Sequence, residues 1–332
     1  MKVLVTGGSG FIGTNLVKDL LAEGHSVLIY DKRKSARYPD NCIVGDVRDK
    51  EKLAHSMRDI DAVCHLAAEH HDDVRPVSLY YDVNVGGAQN VVYGIEKHGI
   101  NRLIFTSTVS VYGLNSGESH EGSSINPFND YGKSKYQSEI IFTDWAKTGK
   151  KRDLFIVRPT VVFGPGNVGN VSVLLRQVRS RKFVMVGDGK NKKSMAYVGN
   201  VTKFLTMLVQ NPPESGMNIY NYADKPDFNM EDLINAVRNG LGKNRNSVFR
   251  LPYKLGLFGG YVFDFFSLIS RKPFPVSSIR VKKFCADTVV RADKLNKIGF
   301  HPPYSLAEGI KNTIHYDAVE CAQGNWCANG RS

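Results

Sequence analysis

Val3-Leu4-Val5-Thr6-Gly7-Gly8-Ser9-Gly10-Phe11-Ile12-Gly13 opens the chain, and its reading decides the fold. A short apolar run ends in glycines spaced Gly-x-x-Gly-x-x-Gly, and a helical pattern, Phe11–Glu23, follows at once. A side chain at Gly7, Gly10 or Gly13 would block close approach of the backbone to a pyrophosphate, which rests on the first amides of the helix. Strand, turn and helix in this order make Gly7, Gly10, Phe11, Ile12 and Gly13 candidate dinucleotide ligands.

Outward from that turn, short apolar runs alternate with helical patterns. Strands are expected at Lys2–Thr6, Ser26–Tyr30, Cys42–Val44, Ala62–Leu66, Arg102–Ser107 and Leu154–Val157. Helices are expected near Phe11–Glu23, Lys50–Met57, Val77–His98 and Tyr131–Lys147. The strands show little polar alternation, which suits burial on both faces, and the alternation of element types predicts an α/β fold: a Rossmann-type, doubly wound parallel sheet. After Pro159 the texture changes to Gly/Pro/Asn-rich loops with helices near Val171–Arg179, Met230–Leu241 and Leu306–Thr313. The expected organisation is a nucleotide domain over residues 1–165, with 196–224 returning to it. A smaller interleaved substrate domain takes 166–195 and 225–318, and 319–332 form a flexible tail.

Asp31 follows the second strand, where a carboxylate accepts the adenosine ribose hydroxyls and repels a 2′-phosphate. That favours NAD; the adjoining Lys32 and Arg33 leave NADP open. Asp46-Val47 follows a short strand and is placed to meet the adenine, and the small residues after Leu66, Ala67-Ala68, permit close backbone approach to the dinucleotide.

Tyr131 and Lys135 stand four apart on one predicted helix and therefore share a face. A phenol with pKa near 10 is a poor base at neutral pH, and a neighbouring ammonium favours its phenolate. Thr108, at the carboxyl end of a strand, supplies a hydroxyl for the reacting oxygen. Catalytic roles are thus expected for Tyr131, Lys135 and Thr108.

On these residues the chain resembles the extended short-chain dehydrogenase/reductases, in particular the NAD-dependent sugar epimerases and dehydratases. The matching stretches are Thr6–Gly13, Asp31, Asp46-Val47, Leu66-Ala67-Ala68, Asn84, Thr108–Gly113, Tyr131 with Lys135, and Arg158-Pro159. The resemblance implies that Tyr131 is the base, Lys135 binds the nicotinamide ribose and Thr108 contacts the sugar's reacting oxygen. It adds Asn84, Thr106 and Pro159 to the cofactor set, and Glu69, His70, Ser110, Asn170 and Lys193 join Thr108 in the substrate set. It also implies a homodimer through the Val77–His98 and Tyr131–Lys147 helices.

Sugar 4,6-dehydratases carry an Asp-Glu pair after the catalytic threonine; here those positions are Val109 and Ser110, which have no acid function. Epimerisation, or net reduction of a ketosugar, remains. The asparagine expected three residues after the Arg-Pro arginine is Val161, and Lys193-Ser194 and Val198-Gly199-Asn200 replace acidic family positions, so the grip on a sugar nucleotide is altered. Lys192 and Lys193 could still bind a diphosphate.

Four stretches are similar to one bacterial subgroup, which epimerises N-acetylglucosamine to N-acetylgalactosamine on undecaprenyl diphosphate for surface polysaccharide synthesis. They are Ala67–Val74, Ser78–Val85, Lys193–Asn200 and Tyr220–Pro226. The alternatives are a UDP-N-acetylglucosamine 4-epimerase and a nucleotide-sugar 4-ketoreductase. A lipid-linked substrate implies a means of reaching a bilayer. Leu255–Ser270 carries one charge, Asp264, between Lys254 and Arg271-Lys272. As a helix it would rise about 24 Å, short of the roughly 30 Å hydrocarbon core, so it should not span. It is either a buried core helix or one laid into an anionic interface, with residues 250–284 as the membrane-contact segment.

Composition agrees. A hydrophobic fraction of 42% and a charged fraction of 23% are ordinary for a globular protein, whereas a net charge of +12 favours an anionic partner. No aromatic-interleaved basic motif points to nucleic acid. Five cysteines without a Cys-x-x-Cys pair read as reduced thiols. With no signal-peptide pattern, a cytoplasmic enzyme on the inner face of the membrane is expected. His70-His71-Asp72-Asp73 lacks a further ligand cluster, so no metal is expected.

Overall fold

The computed structural model describes residues 1–71, 74–113, 117–167, 169–180, 183–242, 249–270 and 277–322. In chain order the elements are β1 (Lys2–Thr6), α1 (Phe11–Ala22), β2 (Ser26–Asp31), β3 (Cys42–Val44), α2 (Lys50–Ser56), β4 (Ala62–His65), α3 (Ser78–Tyr80), a π-turn (Tyr81–Gly86), α4 (Gly87–His98), β5 (Arg102–Thr106), a 3₁₀ turn (Val109–Tyr112), α5 (Asp130–Thr148), β6 (Asp153–Pro159), β7 (Val161–Phe163), α6 (Asn170–Arg179), β8 (Val184–Val186), β9 (Lys192–Tyr197), α7 (Val198–Gln210), β10 (Met217–Tyr222), β11 (Asp224–Asn229), α8 (Met230–Gly240), β12 (Phe249–Leu251), α9 (Tyr253–Ser270), α10 (Ser278–Cys285), α11 (Asp293–Lys297) and α12 (Leu306–Ala322).

Seven strands form one sheet in the order β10-β6-β5-β4-β1-β2-β3, and every neighbouring pair is parallel. Side chains alternate across it. Val3 and Val5 of β1 join the cluster built by Leu16, Leu20, Phe204 and Leu208 from α1 and α7. Leu4, between them, joins Leu53, Val91, Ile95, Phe142 and Trp145 from α2, α4 and α5. Helices cover both faces, as parallel strands without a polar face require. The strand order reverses between β1 and β4, and ligands of open α/β sheets bind outside the carboxyl ends of the strands at such a switch point.

Helix starts follow short polar caps. Asp49 accepts the Lys52 amide at 3.2 Å, Asn129 the Gly132 amide at 2.9 Å and Asn229 the Asp232 amide at 2.8 Å. α1 is different: its cap is Gly10, with no side chain to satisfy its first amides.

The chain divides into two compact units. The first comprises Met1–Val162, Ala196–Ala223 and Val290–Tyr304; the second comprises Phe163–Met195, Asp224–Val289 and the chain from Ser305 onward. Against the sequence-based division, the first unit ends at Val162 rather than 165 and at Ala223 rather than 224, and it gains 290–304, which that division put in the second unit. Ala292, Leu295 and Phe300 bury with the α7 side of the sheet, and Phe300 lies 5.0 Å from Phe204, ring to ring. Asn200 fixes the segment's end by exchanging two hydrogen bonds with the Tyr304 backbone, at 2.7 and 3.0 Å. The last helix also runs into the segment expected as a tail. α12 continues to Ala322, and the remainder of the tail lies outside the described residues.

Within the second unit β8 pairs with β12, and α9 packs with α10. α9 buries its small face. A Cβ on Gly256 would lie 2.5 Å from Val186, and one on Gly260 2.8 Å from the Ser278 backbone. Asp264, one turn further, accepts the Ser278 amide at 3.1 Å. The large side chains face outward: Phe258 is 68% exposed, Phe265 60% and Leu255 58%, and Tyr261, Val262 and Phe266 are exposed beside them. α9 is therefore not the buried core helix that its composition also allowed. Among the described residues no helix is long and apolar enough to cross a membrane.

Candidate active site

The switch point closes where the glycine turn meets the loop after β4. Gly7 has a φ of +71°, and a Cβ there would stand 2.6 Å from the amide nitrogen of Ala67. A Cβ on Gly13 would lie 2.2 Å from the Gly7 carbonyl oxygen, so α1 starts directly on the turn. Only glycine satisfies either position. Thr6 Oγ1 accepts the Ala67 amide at 3.4 Å and contacts His65 Nδ1 at 2.7 Å, which ties β1 to β4 at their carboxyl ends.

At the end of β2, Asp31 is buried, with its two oxygens accepting the Ser9 and Arg33 amides, both at 3.0 Å. The carboxylate is thereby aimed beside the glycine turn and retains lone pairs for ribose hydroxyls. Lys32 turns toward the loop after β4 and pairs with Glu69 at 3.6 Å. Asp46 is held by Arg48, whose hydrogen bonds keep its carboxyl below the usual range despite partial burial. Val47 is buried, its carbonyl accepting Asn90 at 2.9 Å.

Beyond β5, Thr108 caps the 3₁₀ turn. Its Oγ1 accepts the Ser110 amide at 3.1 Å and lies 3.2 Å from the Ser110 hydroxyl. Tyr131 and Lys135 occupy the first turns of α5. Lys135 is 2% exposed, its Nζ 4.1 Å from the centre of the Phe105 ring. Burial pulls its pKa down to about 7, an effect that Glu139 opposes. His65, stacked on Phe105, is driven down to about 3 by burial and, secondarily, by Lys135, so it is neutral across the working range.

Asn84 sits in the π-turn. Its side chain accepts the Glu69 amide at 2.8 Å and donates to the Glu69 carbonyl at 3.1 Å and to Ser134 at 2.9 Å. It braces the loop after β4 against α5. In the same turn the Tyr81 hydroxyl meets Asp130 at 2.9 Å, beside Tyr131. Pro159 ends β6 opposite Tyr222. His70 stacks on His71 with ring centres 4.6 Å apart.

The first unit thus gathers the glycine turn, Asp31, Lys32, Ala67, Glu69, Asn84, Thr106, Thr108, Ser110, Tyr131 and Lys135 around the carboxyl edge of the sheet. Lys193 belongs to the second unit, where its Nζ donates to the Ala286 carbonyl at 2.5 Å. Asn170 is the first residue of α6. Asp72 and Asp73 lie outside the described residues, among which no cluster of metal-binding side chains occurs.

These residues fit a dinucleotide. α1 begins with uncapped amides, the turn admits no Cβ at Gly7 or Gly13, a carboxylate closes β2, and the buried Thr106 hydroxyl, at the end of β5, has no hydrogen-bond partner among the described residues. The family model described as the NAD dependent epimerase/dehydratase family matches residues 3–223. The chain belongs to the NAD-dependent epimerase/dehydratase family. A family relative from Escherichia coli O157:H7, an N-acetyl-alpha-D-glucosaminyl-diphospho-ditrans,octacis-undecaprenol 4-epimerase, is 48% identical over 319 residues, or 96% of either chain. The fold is similar to that of the UDP-glucose 4-epimerase of Thermotoga maritima solved with UDP-glucose, with a TM-score of 0.77 at 22% identity over 97% of this chain and 100% of that one. The UDP-glucose 4-epimerase of Thermus thermophilus, solved with NAD, gives 0.73 at 24% identity over 95% and 98%.

Some residues of this epimerase/dehydratase site escaped sequence reading. His65, Ser107, Glu139 and Ser134 carried no motif. A signal existed for two of them. His65 is polar within the apolar run Ala62-Val63-Cys64, and Glu139 stands one helical turn beyond Lys135.

Proposed function

We propose that the protein is a sugar 4-epimerase that interconverts N-acetylglucosamine and N-acetylgalactosamine on undecaprenyl diphosphate. The observation that carries the chemistry is the Thr108, Tyr131 and Lys135 set at the carboxyl edge beside the glycine turn, with Val109 and Ser110 where dehydration would need acids. Gly7, Gly10, Gly13 and Asp31 would hold NAD, which would supply a reversible hydride acceptor. Tyr131 takes the proton of the sugar's 4-hydroxyl, Thr108 holds that oxygen, and Lys135 favours the phenolate by its charge. With the bound dinucleotide returning the hydride it took, the 4-ketosugar would turn over in the pocket and Tyr131 would give the proton back to the sugar oxygen. Net redox is zero.

The lipid carrier is favoured by α9. A helix that buries its glycines and exposes Leu255, Phe258, Tyr261, Phe265 and Phe266 fits the interfacial layer of a bilayer. Lys282 lies 5.4 Å from the Tyr261 ring, which sets a cation beside the exposed apolar ridge where anionic lipid would attract it. The net charge of +12 acts in the same direction. The 48% identical relative bears a lipid-linked substrate in its name, which supports the same reading. The protein would then work at the inner face of the cell membrane as a peripheral protein. It would also be a homodimer through α4 and α5, where Ile140 is exposed, and sedimentation velocity showing a monomer would remove that part.

The test is conversion of the lipid-linked sugar by purified protein with no added nicotinamide, by wild type and by Tyr131→Phe. Wild type is expected to interconvert the two sugars with the NAD it carries. The variant should keep its NAD and lose at least about 100-fold in rate. A requirement for stoichiometric NADH or NADPH would mean a ketoreductase, and near-full rate in the variant would reject Tyr131 as the base.

A further inference from the structure

Behind Thr108 and Lys135 runs a line of buried polar groups that the chemistry above does not use. Ser107, Tyr112, Glu139, Arg158 and Asn221 are each at most 3% exposed. The Glu139 carboxylate accepts the Ser107 hydroxyl at 2.5 Å and two Arg158 nitrogens at 2.9 and 2.5 Å. Arg158 also donates to the Tyr112 hydroxyl at 2.8 Å, and Tyr112 donates to Asn221 at 2.7 Å. Apolar residues of similar size often serve a core as well as or better than a buried ion pair. Stability alone therefore gives little reason for this one.

Its placement gives a better reason. Ser107 directly precedes Thr108, and Glu139 lies one helical turn beyond Lys135, so a single carboxylate grips the neighbour of one catalytic residue while standing on the same helix as another. We propose that Glu139 is a positioning residue, fixing Thr108 through Ser107 and keeping Lys135 in its charged form, with Arg158 as the counter-ion that holds the carboxylate in place. This rests on the roles given to Tyr131 and Lys135 above. The groups facing Lys135 are Phe105 on β5, His65 on β4, His70 in the loop after it, and Tyr131 and Glu139 on α5. His65 is neutral at working pH, burial and then the charge of His71 lower His70, with Lys135 adding least, and the Phe105 ring offers only its quadrupole, so Glu139 is the anionic group set against the cost of burying the ammonium.

The experiment has two readouts on the NAD-loaded protein: titration of Lys135 by ¹³C-lysine NMR, assigned with Lys135→Arg, and the pH profile of kcat. In Glu139→Gln the Lys135 titration is expected to move down by about one unit or more. The alkaline limb of kcat should follow it, with KM within about twofold, and Glu139→Asp should restore part of the shift. Ser107→Ala, which keeps both charges, is expected to lower kcat with the limb in place. If Glu139→Gln does not fold, Glu139→Gln with Arg158→Met, which leaves no unpaired buried charge, is expected to move the titration in the same direction. An unmoved titration, or a kcat lowered equally at every pH, overturns the proposal. Should the wild type prove inactive on the sugar, the NMR titration still decides the electrostatic claim, and only the functional reading fails.

Discussion

At the start of α1, Gly7, Gly10 and Gly13 remove side chains so that backbone amides stand open toward a ligand. In α9, Gly256 and Gly260 remove side chains so that the helix can settle on Val186 and Ser278, which leaves Leu255, Phe258 and Phe265 facing out. The same residue type leaves a helix start uncovered in one region and exposes an apolar ridge in the other. Spacing explains the contrast. A three-residue step places Gly10 and Gly13 at the end of a helix, where amides are unsatisfied; a four-residue step places Gly256 and Gly260 on one face of a helix interior, where amides are already paired.

The largest expected effect breaks the first half of that contrast. Gly13→Val puts its Cβ against the Gly7 carbonyl, and neither backbone can yield. The purified variant is expected to carry no NAD, read by mass spectrometry of the denatured protein, and to be inactive. Full NAD occupancy would refute the cradle.

A smaller effect sharpens how the first unit is held together. His65 is buried neutral between Thr6 and Lys135, its pKa pushed down to about 3 by burial and then by Lys135, against 6.5 in the unfolded chain. Its folded pKa is depressed and the unfolded chain takes up the proton first. The cost is absent above about pH 6.5 and grows as pH falls toward 3. At pH 4 it amounts to about 3 kcal/mol at most. Urea unfolding should therefore show wild type losing more stability between pH 7 and pH 4 than His65→Asn. Parallel pH curves for the two proteins would contradict this.

Much of the first unit was legible because its determinants are local. The strand at Cys42–Val44 stands where its apolar run and flanking turns put it, and β1 begins and ends as expected. The Gly, Tyr and Lys of the site sit in short patterns whose spacing alone carries meaning. What stayed hidden depends on partners distant in sequence. Glu139 reads as a solvated charge on a helix until Arg158, nineteen residues on, arrives from β6. α7 completes one face of the sheet and β10 its edge, yet no element was assigned to either. α7 is rich in β-branched residues that weaken a helical signal, and Met217–Tyr222 is interrupted by Asn218 and Asn221 rather than running apolar or alternating. The segment 290–304 offers few apolar residues, and only Phe204 and Tyr222 reveal where Phe300 belongs. The π-turn that aims Asn84 and Tyr81 has no sequence signature at all.

The most direct measurement of the central claim compares wild type with Phe258→Ser/Phe265→Ser on two substrates, N-acetylglucosamine on undecaprenyl diphosphate in anionic vesicles and the same sugar on UDP in solution. Wild type is expected to turn over the vesicle-borne sugar far faster than the UDP sugar. The double variant should sediment poorly with vesicles and lose about tenfold or more on the lipid substrate, while its NAD content and thermal stability remain those of wild type. Equal turnover of the two substrates by wild type, or an unchanged rate on vesicles in the variant, would contradict a membrane-facing role for α9 and with it the lipid-linked substrate.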